Sequence, residues 1–165
     1  HSDLRRQRQM CIRDRFNAES NSIAVTVNHL WGNMMSRWTD FLSSDGEKEW
    51  RNRDLEFESI IQTREELTQK WEEGWACLFS ALNSLNKDNF DTTIYIRNQG
   101  HSIAEAVNRQ MMHYAYHIGQ IVYIGRMLKG SEWKSLSIAK GESKAFNQNK
   151  FSQGKHGGHF TDEIK

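Results

Sequence analysis

The sequence predicts an all-α protein built as a helical bundle. Three of its segments carry apolar residues at steps of three and four, which is the spacing of an amphipathic helix. Proline, the strongest breaker of helices, is absent from all 165 residues. No run of 18 apolar residues occurs, so we expect neither a membrane span nor a membrane partner.

The first helix is expected to begin at Asn21 or Ser22, since either side chain can cap it. It should end in the turn-forming residues 43–46. Its apolar stripe extends over about five turns and consists of Ile23, Val27, Leu30, Met34, Trp38 and Phe41. The highly charged residues 47–62 that follow predict a loop or a short irregular turn.

Two capping boxes predict where the next helices start. Thr63 is followed three residues later by Glu66, and this helix should continue to about Leu85. Ser102 and Glu105 open the longest helix, which should end at about Leu128. Residues 92–97 between the two helices are β-prone, but one strand has no partner here. We therefore expect an extended crossover in that segment.

Three helices with wide apolar faces usually close around a fourth, and the place for it lies ahead of Phe16. Residues 1–15 follow no helical pattern, and we interpret them as a non-native or disordered segment. The bundle domain is then expected to cover residues 16–150 and to lack its native first helix. Residues 151–165 predict a flexible polar tail.

The charge distribution argues against a nucleic-acid partner. Residues 1–15 hold five arginines and two aspartates, a charge of +3, whereas the whole chain has a net charge of +1. Residues 16–165 therefore have a net charge of −2, whereas a nucleic-acid-binding domain usually carries excess positive charge. The two cysteines, Cys11 and Cys77, are interpreted as unpaired thiols of a reducing, cytoplasmic environment rather than a disulfide.

Histidines at helical spacing predict a metal site. His113 and His117 stand at positions i and i+4, so both imidazoles lie on one face of the third helix. Two neutral imidazoles can share one transition-metal ion, but a stable site needs a further ligand. His29 lies beside Leu30 on the first helix and is the candidate for that ligand. Zinc, nickel and iron all suit three neutral imidazoles with open positions.

Two sequence blocks carry a resemblance to a known family. They are residues 21–34, which include His29-Leu30-Trp31-Gly32-Asn33, and residues 108–121, which include His113-Tyr114-Ala115-Tyr116-His117; the motif Trp50-Arg51-Asn52-Arg53-Asp54 adds to them. Over about residues 16–150 the chain resembles the DinB/YfiT-like superfamily, and more narrowly its DUF1572 branch.

The resemblance implies a DinB-like four-helix bundle that binds a divalent metal through three histidines. Those histidines correspond to His29, His113 and His117. It also implies a homodimer and, in some relatives, thiol-dependent S-transfer, hydrolysis or isomerisation. We expect further residues around the site or its pocket, namely Trp31, Asn33, Arg109, Tyr116 and Gln120.

Two functions remain open from the sequence. The first is metal-dependent transfer of a small thiol, or hydrolysis, at the three-histidine site. The second is a non-catalytic helical module for interaction or stress response, in which the histidines serve packing alone. No nucleophilic side chain can be named, and the sequence between His113 and His117 lacks the glutamate of a His-Glu-x-x-His metalloprotease.

Overall fold

A computed structural model describes residues 12–58 and 61–158 of the chain. Cys11, most of the segment 1–15 and the last seven residues of the tail 151–165 lie outside the described residues. The described part divides into two compact units, of which the first reaches to Leu128 and the second begins at Lys129.

The described residues are mainly helical, which confirms the predicted predominance of helix. The helices are α1 (Ile23–Trp38), α2 (Arg64–Asn83), α3 (Ile103–Lys129) and α4 (Ser143–Ser152). A small sheet is formed by β1 (Ile94–Ile96) and β2 (Gln99–His101), and short 3₁₀ turns cover Asp54–Phe57 and Gly130–Glu132. Within the described ranges, no helix has the length and apolar character to cross a membrane.

The helix starts lie where their caps predict them. The Ser22 hydroxyl accepts a hydrogen bond from the backbone N–H of Val25. Thr63 and Glu66 form a reciprocal capping box at the start of α2. Ser102 and Glu105 exchange the same pair of hydrogen bonds at the start of α3. These side chains satisfy backbone donors that have no partner within the helix.

The first helix ends earlier than the sequence predicts, at Trp38 rather than near residues 43–46. Asp40 adopts a left-handed φ of 47°, which a continuing helix does not allow. Its carbonyl accepts the backbone N–H groups of Ser43 and Ser44, so the chain closes a turn at this point.

Helix α1 is the central element of the first unit, and 13 of its 16 residues are buried. It packs against α2 and the 3₁₀ turn Asp54–Phe57. The main apolar cluster draws on all three long helices and the sheet; it comprises Leu30, Met34, Trp38, Phe41, Leu78, Ala81, Ile94, Ile96, Ile103, Ala106 and Tyr114. Because α1 is buried on several sides, its polar residues such as Asn28 and His29 are placed inside the protein.

The expected extended crossover at residues 92–97 is wrong. Strand β1 pairs antiparallel with β2, so this segment is one arm of a hairpin. The two turn residues, Arg97 and Asn98, have φ values of 53° and 61°, as a two-residue hairpin turn of type I′ requires. The Asp45 carboxylate accepts the backbone N–H groups of both. This distant acceptor stabilises a turn that lacks glycine.

The second unit contains α4, which the sequence analysis did not predict. The side chains of Ser143–Ser152 are all exposed or half-buried, and none is buried. Helical periodicity of apolar residues is therefore weak in this segment, because no face of the helix is selected for burial.

Candidate metal centre

Three histidines from two helices meet in the first unit. His29 comes from the middle of α1, and His113 and His117 come from successive turns of α3. One ring nitrogen from each lies within 4.8 Å of the others. The Nε2 atoms of His29 and His113 are 3.2 Å apart. The structure thus brings together the three residues that the sequence singled out.

A buried carboxylate fixes the orientation of His29. Its Nδ1–H donates to Glu56 Oε2 over 2.8 Å, and both side chains are almost completely buried. The Phe57 ring stacks on the same imidazole at a centroid distance of 4.8 Å. With the proton held on Nδ1, the lone pair of Nε2 points toward the other histidines. A carboxylate behind a histidine in this way is a common arrangement at metal centres.

Glu56 is itself held ionised by an arginine. Arg51 donates from Nε to Oε1 over 2.7 Å and from Nη2 to Oε2 over 2.9 Å. Burial opposes ionisation of Glu56, but the hydrogen bonds from His29 and Arg51 outweigh it and lower the pKa of the carboxyl. Although burial acts against it, Glu56 also raises the pKa of Arg51. Both shifts agree that the pair is charged.

The position of Glu56 depends on two contacts with α1. Asn28 donates from Nδ2 to the backbone carbonyl of Glu56 over 3.0 Å. Gly32 leaves the room for its carboxylate, because a β-carbon there would lie 2.8 Å from Glu56 Cδ. The 3₁₀ turn is therefore pinned to the same helix that carries His29.

His117 is oriented in the same way, by an amide. Its Nδ1–H donates to Gln120 Oε1 over 2.9 Å, which leaves Nε2 available as a ligand. Gln120 is one of the residues that the sequence placed around the site. Two of the three histidines are thus held in the tautomer that presents Nε2.

The charge state of His113 and His117 suits a metal ion. Burial, followed by the proximity of His117 and His29, lowers the pKa of His113 to about 4. Burial and His29 also lower the pKa of His117. These rings are therefore neutral near pH 7, and the neutral imidazole is the form that binds transition metals.

The distance between the ligand nitrogens of His29 and His113 also fits a metal ion. Metal–nitrogen bonds of about 2.0–2.1 Å place two tetrahedral ligand atoms about 3.3 Å apart. The 3.2 Å between the Nε2 atoms of His29 and His113 matches this value. A separation of 4.8 Å, the upper limit within the cluster, would have to shorten by about 1.5 Å around an ion.

Of the other residues expected around the site, three line the cavity beside the histidines and Trp31 does not. A cavity of about 390 Å³ opens onto the histidines, and Asn33, Arg109 and Tyr116 line it. Asn33 Oδ1 accepts the hydroxyl of Tyr114 over 3.1 Å. Trp31 is not part of this lining; its Nε1–H donates to Glu73 on α2.

Sequence reasoning missed Glu56, Phe57 and the role of Arg51. All three lie in the charged segment 47–62, which predicts only a loop or turn. The motif Trp50-Arg51-Asn52-Arg53-Asp54 was part of the family resemblance, and it was the one available signal. Nothing local distinguishes Glu56 from the exposed acids around it, since its burial results from contact with α1.

Comparison with known proteins places the chain in one family. The family model described as protein of unknown function (DUF1572) matches residues 4–142, which is most of the sequence, so the chain belongs to that family. No curated protein and no solved structure matches the chain.

Proposed function

Starting from membership of the DUF1572 family, we propose that the chain binds one divalent transition-metal ion through His29, His113 and His117. The observation that carries this proposal is the convergence of three buried or half-buried imidazoles whose ligand nitrogens lie within 4.8 Å. The DinB-like placement suggested by the sequence belongs to the same proposal, because that resemblance implies a three-histidine centre in a helical bundle.

Zinc, nickel and iron(II) remain the candidate ions, since all three accept neutral imidazole ligands. When bound with an open position, such an ion acts as a Lewis acid and lowers the pKa of a small thiol or of water. The protein supplies the orientation: Glu56 and Gln120 fix His29 and His117, and Arg51 keeps Glu56 ionised.

The chemistry that we propose for such an ion is transfer of a small thiol, or hydrolysis. Cys77 does not line the cavity at the histidines, and its thiol lies near Thr39 and the carbonyl of Met34. A nucleophile is therefore expected to enter with the substrates rather than from a cysteine of the described chain.

Metal analysis tests the binding step. Purified protein should take up one equivalent of Zn²⁺ or Ni²⁺, measured by elemental analysis after dialysis and by calorimetric titration. His29→Ala and His113→Ala should abolish stoichiometric uptake, whereas His101→Ala, on β2 and outside the cluster, should not. Uptake that is equal in all four proteins would refute the site.

The chemical step is tested separately with the metal-loaded protein. Cysteine and glutathione are offered with an activated aryl halide, and an activated ester is offered in water alone. Thiol-dependent product that disappears in His113→Ala supports transfer, and ester cleavage without thiol supports hydrolysis. Bound metal without either reaction would favour the non-catalytic module.

The alternative of an interaction module rests on exposed apolar side chains along α3. Met111, Met112 and Tyr123 are 60%, 74% and 66% exposed, an unusual concentration of large apolar groups on one helix. We propose that the homodimer implied by the family resemblance covers them. Light scattering coupled to gel filtration should then give twice the mass of one chain. For Met112→Lys the measured mass should fall to that of a single chain.

A further inference from the structure

Five arginines surround the cavity at the histidines. They come from four separate parts of the first unit, namely the end of α1 (Arg37), the segment before the 3₁₀ turn (Arg51 and Arg53), the hairpin turn (Arg97) and α3 (Arg109). No aspartate or glutamate is among the described residues that line this cavity. Such a convergence is not explained by a metal site, because guanidinium groups do not ligate cations.

Most of this positive charge lacks a partner. Arg51 forms ion pairs with Glu47 and Glu56, and Arg97 approaches Glu47 at 3.3 Å. Those two carboxylates offset two of the five guanidinium charges, so three remain. Arg53 lies over the Phe57 ring, and Arg109 donates to the Nε2 atom of His101. Neither contact neutralises a charge.

Arg37 is the most informative of the five. It is only 4% exposed, and its Nε and Nη1 atoms have no hydrogen-bond partner. Among the described residues, no carboxylate forms an ion pair with it. Glu47 acts favourably on the Arg37 charge, but that carboxylate also pairs with Arg51 and Arg97. A buried guanidinium without a counter-charge of its own is unfavourable. An anion in the cavity would supply the missing negative charge.

The cavity has the size and chemistry of a small-molecule site. Its volume of about 390 Å³ lies within the usual range for such sites. Phe57 and Tyr116 contribute aromatic surface beside the arginines. Guanidinium groups match carboxylates and phosphates in both charge and planar hydrogen-bond geometry.

We propose that this cavity binds a small organic oxyanion, a carboxylate or a phosphate ester, through Arg37, Arg53 and Arg109. The anionic group of the molecule lies among these arginines, and its remainder extends toward the three histidines. This inference rests on the proposed function for what happens at the histidines, whereas anion binding by the arginines does not require a metal. It restricts the substrates of the site to anionic molecules.

Three probes with the same ring test the proposal: benzoate, phenyl phosphate and benzamide. Each is titrated calorimetrically into protein freed of metal by a chelator and then dialysed. Benzoate or phenyl phosphate should bind at least tenfold more tightly than the neutral benzamide, and binding should weaken as salt is raised. The tighter of the two anions identifies the oxyanion class. Equal binding of all three, or no binding of either anion, would overturn the proposal.

Substitutions locate the binding. Arg53→Gln and Arg109→Gln alter exposed side chains, so both variants should fold as the wild type does. Each should weaken binding of the better anion about tenfold, and Arg37→Gln should weaken it more. Arg126→Gln, an exposed arginine of α3 outside the cavity, is the matched control. Effects no larger than that of the control would refute the assignment.

Metal uptake measured on the same samples separates this inference from the proposed function. Anion binding without metal uptake in wild type would refute the metal site and leave this inference standing. Metal uptake without anion binding would refute this inference alone.

Discussion

Replacing Glu56 by glutamine tests how far the buried carboxylate supports both the fold and the histidine cluster. The substitution keeps the shape and one acceptor oxygen but removes the negative charge. Glu56 accepts three short hydrogen bonds, from His29 over 2.8 Å and from Arg51 over 2.7 and 2.9 Å. Removing its charge leaves the guanidinium of Arg51 without its closest counter-ion.

The expected loss of stability follows from burial. The side chains of Arg51 and Glu56 are 3% and 7% exposed. Breaking a buried ion pair by removing one charge costs about 3–5 kcal/mol. Arg51 retains Glu47 at 3.1 Å, so we expect the lower part of this range. That loss is large beside the roughly 5–15 kcal/mol by which domains are stable. Metal affinity should fall about 10–100-fold, because His29 loses its charged acceptor.

Chemical denaturation of Glu56→Gln, followed by circular dichroism, measures the change in unfolding free energy. Competition with a chromophoric chelator measures Zn²⁺ affinity in the same preparation. Glu47→Gln is the matched control, since Glu47 contacts Arg51 but not His29. It should cost about 1 kcal/mol or less, as partly exposed ion pairs do, and leave metal affinity unchanged.

The reasoning is wrong if Glu56→Gln unfolds with a free energy within about 1 kcal/mol of wild type. A metal affinity equal to that of Glu47→Gln would likewise contradict the role assigned to the carboxylate behind His29.

Three further substitutions test other parts of the structure. Gly32→Ala places a β-carbon 2.8 Å from Glu56 Cδ, so it should cost about 1–3 kcal/mol in denaturant titrations and weaken metal binding. Tyr114→Phe removes a hydroxyl that donates to Asn33 and accepts from Trp38 Nε1 at 2.9 Å. Because both partners then lack a hydrogen bond, the unfolding free energy should fall by about 1–3 kcal/mol. Asp45→Asn should lower stability by about 1 kcal/mol at pH 7, a value reduced for solvent screening. Although burial raises the pKa of Asp45, hydrogen bonds from the backbone of Asn98, Glu47 and Arg97 lower it overall. Its contribution is therefore complete above about pH 4 and is lost as the pH falls through the lowered pKa.

Controls accompany each of these variants. Gly119→Ala adds a β-carbon with no atom within 4 Å and should be neutral or stabilising, as alanine favours helix. Tyr95→Phe changes an exposed tyrosine and should leave the melting temperature unchanged. Destabilisation by Gly119→Ala equal to that by Gly32→Ala would show that contact with Glu56 is not the cause. For Asp45→Asn, a stability difference that is constant from pH 7 to pH 3 would contradict the sign given above.

The starts of α1, α2 and α3 were predictable because the signals for them are local. The spacing of Leu30, Met34 and Trp38 marks the buried side of α1, and capping at Ser22 and Thr63 involves residues three apart. The hairpin was not predictable, since Arg97 is a poor type I′ residue on its own. The carboxylate that stabilises the turn belongs to Asp45, more than fifty residues earlier in the chain.

The sequence by itself determined that His113 and His117 share one helix face, because a helix places positions i and i+4 together. It also marked His29 as the candidate partner. Only the tertiary structure decided that α1 and α3 face each other with their Nε2 atoms 3.2 Å apart. It alone joined Glu56 to His29 and drew five arginines around the same cavity. Such contacts depend on how distant segments pack, and residue spacing along the chain does not predict that packing.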